Sequence, residues 1–351
     1  MLEFLGEPTA VALVGLAGGL LLGLAARLGR FCTLGAIEDA LYANDTRRLR
    51  MWGVAIGVAI IGSFTAMSLG LLPAENTLYL MQSWSPAASI IGGLLFGYGM
   101  ALAGNCGFGA LARFGGGDLR SFVIVLVMGL SSFAVLSGPL AYLRVAVFPT
   151  SPSTGSLPGI AHLLGDQLSM SPTVPALLIG TLFIAIALAA RQMRNSPAMI
   201  FWGAVVGVAI VSGWVGTAWV AAHGFAALPV VSHTFSRPLG ETMLYVMTSS
   251  GRSLSFGIGS VVGVLAGAFI GSLLKGHFRW EACEDPRELR RQITGAVLMG
   301  TGAVVALGCT VGQGLSAFSV LAFSAPVTMA AVFAGAAIGL RQLITGFLPA
   351  A

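Results

Sequence analysis

Residues 86–116 read PAASIIGGLLFGYGMALAGNCGFGALARFGG and combine two features that decide the fold. The first part, 86–104, has about the 20 mostly apolar residues that an α-helix needs to cross a bilayer. It ends at Gly104-Asn105-Cys106, and the segment 106–116 is too short to cross again. This stretch therefore predicts a transmembrane helix, a break in the chain, and a short helix that follows the break.

The composition of the whole chain agrees with a membrane protein. Hydrophobic residues make up 56% of the 351 residues and charged residues only 9%, whereas a soluble domain has roughly 25% charged residues. The 49 glycines are about twice the average share, as expected where transmembrane helices pack closely. The composition excludes a disordered chain, a disulfide-rich secreted scaffold and a nucleic-acid binder. The net charge of +5 is explained by basic cytoplasmic loops rather than by a polyanionic partner.

Apolar runs of the required length recur along the chain. They lie at 9–28, 50–72, 86–104, 119–147, 172–190, 198–222, 253–274, 293–308 and 324–345. The sequence therefore predicts an all-α integral membrane protein with about nine transmembrane helices.

The charged residues predict the orientation of these spans. Residues 1–8 contain Glu3 and Glu7 and no basic residue, unlike a signal peptide, so we expect the first span to be retained with its start outside. In that arrangement 15 of the 18 Lys and Arg residues lie inside, and only Arg144, Arg237 and Arg252 lie outside. This follows the positive-inside rule. We expect the N-terminus outside, the C-terminus in the cytoplasm, and 72–85 and 145–171 as outer loops.

Four segments are too long for turns and too short to span alone: 31–44, 106–116, 237–250 and 309–318. Three begin with Cys-x-x-Gly, at Cys32, Cys106 and Cys309, each with a glycine just upstream. In the fourth, Arg237 occupies the place of the cysteine. With the predicted orientation, the first two segments follow spans that start outside and end at the cytoplasmic side. The last two follow spans that start in the cytoplasm and end at the outer side.

The repeat predicts one membrane domain, 1–351, built from two inverted, pseudo-symmetric halves. The first half is 1–147, the outer loop and connecting helix are 148–197, and the inverted second half is 198–351. Many secondary transporters have inverted repeats with broken helices that meet near the bilayer midplane.

The first turn of a short helix has unpaired backbone N–H groups and attracts anions. We therefore expect an anion path lined by the thiols of Cys32, Cys106 and Cys309. Candidate anion contacts are Asn105, Gly107, Thr310, Arg237 and Arg252. Asn105 could instead cap its short helix, the favoured interpretation, and the two arginines could collect anions or anchor at the interface. Trp52 is one of four tryptophans near predicted span ends, where aromatic belts occur.

An isolated cysteine in a membrane protein is commonly a small buried hydrophobe, but three in a repeated motif favour a function. Cys283 lacks the motif, and we interpret it as incidental. No Cys/His cluster has metal-ligand spacing, so we expect neither a metal nor a cofactor.

The segments GRFCTLGAIEDALY, GYGMALAGNCGFGALARFGGGDLRSF and ALGCTVGQGLSAFS resemble the YeeE/YedE (sulfur transport domain) family. The resemblance spans essentially the whole chain. It implies a bacterial inner-membrane importer of thiosulfate or a related sulfur anion, in which Cys32, Cys106 and Cys309 are the functional cysteines. It also implies a separate cytoplasmic sulfurtransferase of the TusA type as a partner.

Three functions stay open at this point. The favoured one is thiosulfate import without covalent change, by a protein that is not an enzyme. The second is a membrane sulfurtransferase that forms a cysteine persulfide, which would need an activated thiolate. The third is a scaffold subunit of a sulfur-relay complex.

Overall fold

The computed structural model of the protein describes residues 6–149, 159–282 and 285–346. In these ranges the chain forms helices joined by turns, with isolated β-bridges and no β-strand. The interpretation of Cys283 as incidental lies outside the described residues, as does 150–158 of the predicted outer loop. The prediction of an all-α protein is confirmed.

Nine long helices form the framework of the described part of the chain. They are α1 Glu7–Leu28, α2 Arg47–Ser68, α3 Pro86–Ala103, α4 Leu119–Leu136, α5 Thr173–Ala189, α6 Pro197–His223, α7 Phe256–Leu274, α8 Pro286–Val305 and α9 Ser324–Thr345. By length and composition, seven of these could cross a membrane, with α1 and α3 counted together with the short helices that follow them. Of the other two, α5 is apolar but shorter, and α8 begins with a charged turn. The chain is thus a multi-pass membrane protein.

One predicted span is longer than the helix that forms. The apolar run 119–147 is interrupted after Leu136, where α4 ends, and a separate helix follows at Ala141–Val147. The interruption is Ser137-Gly138-Pro139, and proline can neither donate a helical hydrogen bond nor leave the preceding residue free to stay helical. Hydrophobicity alone did not reveal this break.

Glycines on facing helices allow α1 and α7 to pack backbone against backbone. A Cβ atom at Gly15 or Gly19 of α1 would overlap the carbonyl oxygen of Phe256 or Ser260, respectively. A Cβ atom at Gly263 of α7 would overlap a carbonyl oxygen of α1 in turn. Because residue numbers rise together along both helices, α1 and α7 run parallel. The glycine excess therefore creates the tightest helix contact in the bundle.

The helix pairing repeats when the two predicted halves are exchanged. In that exchange α1, α2, α3 and α4 correspond to α6, α7, α8 and α9. The contact of α1 with α7 has its counterpart in α6 with α2, and that of α3 with α9 in α8 with α4. The corresponding helices α1 and α6 run antiparallel, as do α3 and α8. The division of the chain at 147 and 198 stays a prediction, and this pairing favours it.

Candidate functional site

Each of the three motif cysteines lies at a sharp break between a long helix and a short helical segment. Cys32 is the N-cap of the short helix Thr33–Tyr42 and Cys106 that of Gly107–Gly115, while Cys309 directly precedes helical residues that continue as a π-helix at Gly312–Ala317. Each cysteine is thus at the start of a helical segment, as the motif predicts. The fourth short helix, Arg237–Thr248, has Ser236 as its N-cap.

Each of the three breaks contains a left-handed residue at the same position before the cysteine. The residue two positions before the cysteine is left-handed in each case: Arg30 has a φ of 57°, Gly104 of 77° and Leu307 of 58°. A left-handed residue ends an α-helix and reverses the chain direction. Only one of the three is a glycine, because Gly29 and Gly308 each lie one residue away from the left-handed position.

Cys106 is the central thiol of the three. It is fully buried, and its Sγ accepts a hydrogen bond from the backbone N–H of Gly109 at 3.4 Å. The hydroxyl of Thr33, the residue after Cys32, lies 4.0 Å from this Sγ. On the other side, a Cβ atom at Gly107, the residue after Cys106, would lie 3.5 Å from the carbonyl oxygen of Phe235, whose N–H donates to Cys309.

Cys309 faces the chain segment that leads into the short helix Arg237–Thr248. Its Sγ accepts a hydrogen bond from the backbone N–H of Phe235 at 3.2 Å and lies 3.7 Å from Oγ1 of Thr234. Ser316 anchors this segment by donating to the carbonyl oxygen of His233 at 2.7 Å. Cys309 is 2% exposed and is therefore buried beneath this segment.

Cys32 lies beside a basic cavity of about 370 Å³ at the end of the bundle where α1 and α7 finish. Five of the residues around this cavity are cationic and one is acidic: Arg27, Arg30, Arg48, Arg113, Lys275 and Glu38. Burial lowers the pKa of Lys275, and the nearby positive charges of Arg30 and Arg27 lower it further. Crowded cations of this kind favour a bound anion, because it relieves their mutual repulsion. We call this space the basic cavity.

A second cavity, of about 230 Å³, lies where α1 and α7 begin, at the opposite end of the bundle. Tyr79, Thr234, Arg237 and Glu241 are among its lining residues, and we call it the Tyr79 cavity. Arg237 is largely exposed and forms an ion pair with Glu241 at 2.6 Å. Arg252 is exposed and is not part of the cavity lining.

The two cavities and the three thiols therefore form a series. The contacts give the order Tyr79 cavity, Thr234, Cys309, Cys106, Cys32 and basic cavity. Sequence reasoning predicted that the cysteines converge but not their order, which depends on how the two halves pack.

Aromatic side chains close the space around the central thiols. The ring of Phe31 stacks on that of Trp52 with centroids 4.7 Å apart, and Phe108 packs on Phe235 at 5.3 Å. Trp52 is 5% exposed, so its assignment to an interfacial belt is wrong. It lies near the predicted end of a span, but its indole packs inward on the residue before Cys32.

The remaining candidate contacts are chain neighbours of Cys106 or Cys309. Asn105 is not a helix cap, since Cys106 occupies the N-cap position; its Oδ1 is buried without a hydrogen-bond partner and the residue borders the basic cavity. The hydroxyl of Thr310 is buried and also lacks a partner at hydrogen-bond geometry. Gly107 packs against Met128, whose sulfur would overlap a Cβ there.

Sequence reasoning missed Tyr79, Thr234 and Ser236. Tyr79 lies in a segment expected to be an outer loop, and only the apolar triplet Leu78-Tyr79-Leu80 hints that it turns inward. Arg237 was aligned with the cysteines through Gly240, but the N-cap is Ser236. The phenylalanine that precedes both Cys32 and Ser236 was the signal for the correct register.

Known proteins resemble this chain over most of its length. The family described as Sulphur transport matches residues 28–338. The Thiosulfate transporter TsuA of Escherichia coli (strain K12) is 27% identical over 319 residues, which cover 87% of each chain. The Thiosulfate transporter TsuA of Spirochaeta thermophila is 26% identical over 318 residues, 88% of this chain and 92% of the relative. Since the family match extends over all three cysteine motifs, the chain belongs to the sulphur transport family.

Proposed function

We propose that this protein imports thiosulfate across the bacterial inner membrane through the three thiols in series. The observation that carries the proposal is their position between two cavities at opposite ends of the bundle. The ion would enter at the Tyr79 cavity, pass Cys309, Cys106 and Cys32 in that order, and leave through the basic cavity. Two relatives that match most of this chain are named thiosulfate transporters.

The chemistry of the thiols suits this substrate. Thiosulfate is a dianion with a terminal sulfur, a soft acceptor that the weak S–H donor of cysteine can match. A neutral thiol donates without repelling the anion. The unpaired N–H groups of the helical turns that begin at the cysteines offset part of the cost of removing the ion from water. Sites of moderate strength in series also let the ion leave each one.

Packed aromatic rings close the path between the thiols. Phe31, Phe108 and Phe235 lie beside the thiols, so an ion could pass only if these side chains move. The protein therefore acts by transient opening, with the ion handed from thiol to thiol and no bond made or broken.

The orientation belongs to the same proposal. With the N-terminus outside, the Tyr79 cavity faces the periplasm and the basic cavity faces the cytoplasm. The two inverted halves each contribute short helical segments to the path. A separate TusA-type sulfurtransferase that accepts the imported sulfur stays a prediction.

Uptake into liposomes tests the proposal. Purified protein is reconstituted, and entry of thiosulfate labelled on both sulfurs is measured for wild type and for Cys32→Ala, Cys106→Ala and Cys309→Ala. We expect intact ions inside the wild-type vesicles and at least a tenfold slower rate in each variant, since each loses one hydrogen bond to an ion. Cys283→Ala, which removes a thiol without the motif, serves as the matched control and should keep the wild-type rate.

Other outcomes identify the alternatives. Sulfite left outside with protein-bound sulfur would indicate a membrane sulfurtransferase. A wild type without any uptake would indicate a scaffold subunit. Unchanged rates in all three cysteine variants would exclude a path through the thiols.

A further inference from the structure

The segment before α3 enters the helix bundle instead of remaining a surface loop. Thr77 and Leu80 are fully buried, and the N–H of Leu78 donates to the carbonyl oxygen of Val230 at 3.4 Å. This pairing joins the segment to the chain that leads to Thr234. The one-turn helix Leu78–Met81 thereby carries the Tyr79 side chain toward Cys309.

The Tyr79 ring is held in place by a fixed neighbour. It packs edge-to-face on Trp214 with centroids 6.3 Å apart. Trp214 is fully buried, and its Nε1 donates to Oγ of Ser319 at 2.8 Å. A ring fixed in this way presents its hydroxyl at a defined position, which lowers the entropic cost of binding through it.

Two hydroxyl groups converge beside Cys309. A Cβ atom at Gly312 would lie 2.9 Å from the Tyr79 hydroxyl and 2.6 Å from Oγ1 of Thr234. A Cβ atom at Gly308 would lie 3.3 Å from the Tyr79 hydroxyl. The glycines on both sides of Cys309 therefore leave the space in which the hydroxyls approach it.

These groups differ in the acceptors they prefer. The hydroxyls of Tyr79 and Thr234 are good donors to oxygen, whereas the thiol of Cys309 is a weak donor suited to sulfur. The three groups lie next to one another, and Tyr79 and Thr234 both line the Tyr79 cavity. A ligand that satisfies all three carries oxygen atoms at one end and an unoxidised sulfur at the other.

We propose that Tyr79 and Thr234 form a binding subsite for the oxygen-bearing end of a sulfur oxyanion whose terminal sulfur faces Cys309. This inference rests on the proposed function and adds the residues that select the ion. Sulfate engages only the hydroxyls, and hydrosulfide engages only the thiol. Selectivity arises because an ion that lacks either end leaves some of these groups without a partner.

Equilibrium binding of labelled thiosulfate to the purified protein tests the subsite separately from transport. Tyr79→Phe and Thr234→Val each remove one hydroxyl and keep the shape of the side chain, so we expect roughly tenfold weaker binding in each. Tyr98→Phe is the matched control, because its hydroxyl donates to Gln342 at 2.6 Å between α3 and α9. We expect that variant to bind as the wild type does.

Competition by unlabelled sulfate separates recognition from a purely structural role. We expect the sulfate inhibition constant to rise in Tyr79→Phe and Thr234→Val but to stay unchanged in Cys309→Ala, whose thiosulfate binding weakens. Sulfate that fails to compete in the wild type, or that competes equally in every variant, overturns the subsite. Selective binding without uptake would retain the subsite and reject the import function. Uptake with unaltered binding in both hydroxyl variants would retain the import function and reject the subsite. Absence of thiosulfate binding would reject both.

Discussion

At the residue scale, the left-handed position two residues before each cysteine defines the candidate site. It ends the long helix and aims the next helical segment at the centre of the bundle. Arg30 and Leu307 adopt this conformation despite the cost of about 1–2 kcal/mol that a side chain adds there. The packing around them must offset this cost, because a local preference would not select these residues.

At Gly104 the cost of a side chain in the left-handed conformation can be measured without any steric overlap. A Cβ atom there would contact nothing within 4 Å, but the φ of 77° is unfavourable for alanine. We therefore expect Gly104→Ala to lower the free energy of unfolding by about 1 kcal/mol, detected as a lower thermal midpoint in detergent. Gly251→Ala is the control, since that glycine also has open space and no left-handed φ. Equal midpoints for the two variants would contradict the assigned role of the backbone.

The motif spacing predicts some features of the site residues and not others. The Cys-x-x-Gly spacing was sufficient to identify the three cysteines. The pattern could not reveal that Trp52 packs inward on Phe31, because a tryptophan near the end of a span fits either an interface or a core. It aligned Arg237 rather than Ser236 with the cysteines, because the alignment relied on Gly240 and not on the phenylalanine that precedes Cys32 and Ser236.

At the element scale, glycine rather than leucine determines the closest helix contacts. Lipid chains are as apolar as a leucine side chain, so association in a bilayer depends on close packing. The α1–α7 contact uses glycines from both helices, each facing backbone atoms of the other. The sequence predicted that the glycines allow close packing, but it did not predict which helices pack together.

A bulky residue in this contact should separate the helices. We expect Gly19→Val to destabilise the protein by about 1–3 kcal/mol, because its side chain would overlap the backbone of Ser260. Thermal unfolding in detergent and the yield of monodisperse protein measure the effect. Leu13→Val, at a position 45% exposed on the same helix, should have little effect. Equal losses in both variants would indicate an effect of valine on α1 itself.

The segment 72–85 shows a limit of prediction at this scale. Its lack of Lys and Arg indicated an outer loop, and the segment does connect α2 with α3. However, Thr77 and Leu80 are buried in the bundle, because the Val230 backbone offers a pairing partner from the other half of the chain. A contact between residues so far apart in sequence has no local signature.

At the scale of the whole molecule, the distribution of charge distinguishes the two ends of the bundle. The basic cavity and the segment around Arg279 lie at one end. Glu7 lies at the other end, where its carboxylate accepts hydrogen bonds from the N–H groups of Phe225 and Ala226. This asymmetry is what the positive-inside rule requires if the basic end faces the cytoplasm.

Labelling of introduced cysteines tests this orientation. Phe225 and Trp280 are both exposed, one near each end of the bundle. In intact cells we expect an impermeant maleimide to modify Phe225→Cys and not Trp280→Cys, which should react only after permeabilisation. The wild type, with its native cysteines, gives the background. The opposite pattern would reverse the proposed direction of entry.

The sequence by itself determined the membrane class, the approximate positions of the helices and the three motif cysteines. These properties follow from hydrophobicity, charge and spacing, which are local along the chain. Only the tertiary structure decided the order of the thiols, the aromatic closure around them and the approach of Tyr79 to Cys309. Those features arise where residues from both halves meet, and the close backbone packing that glycine permits brings them together.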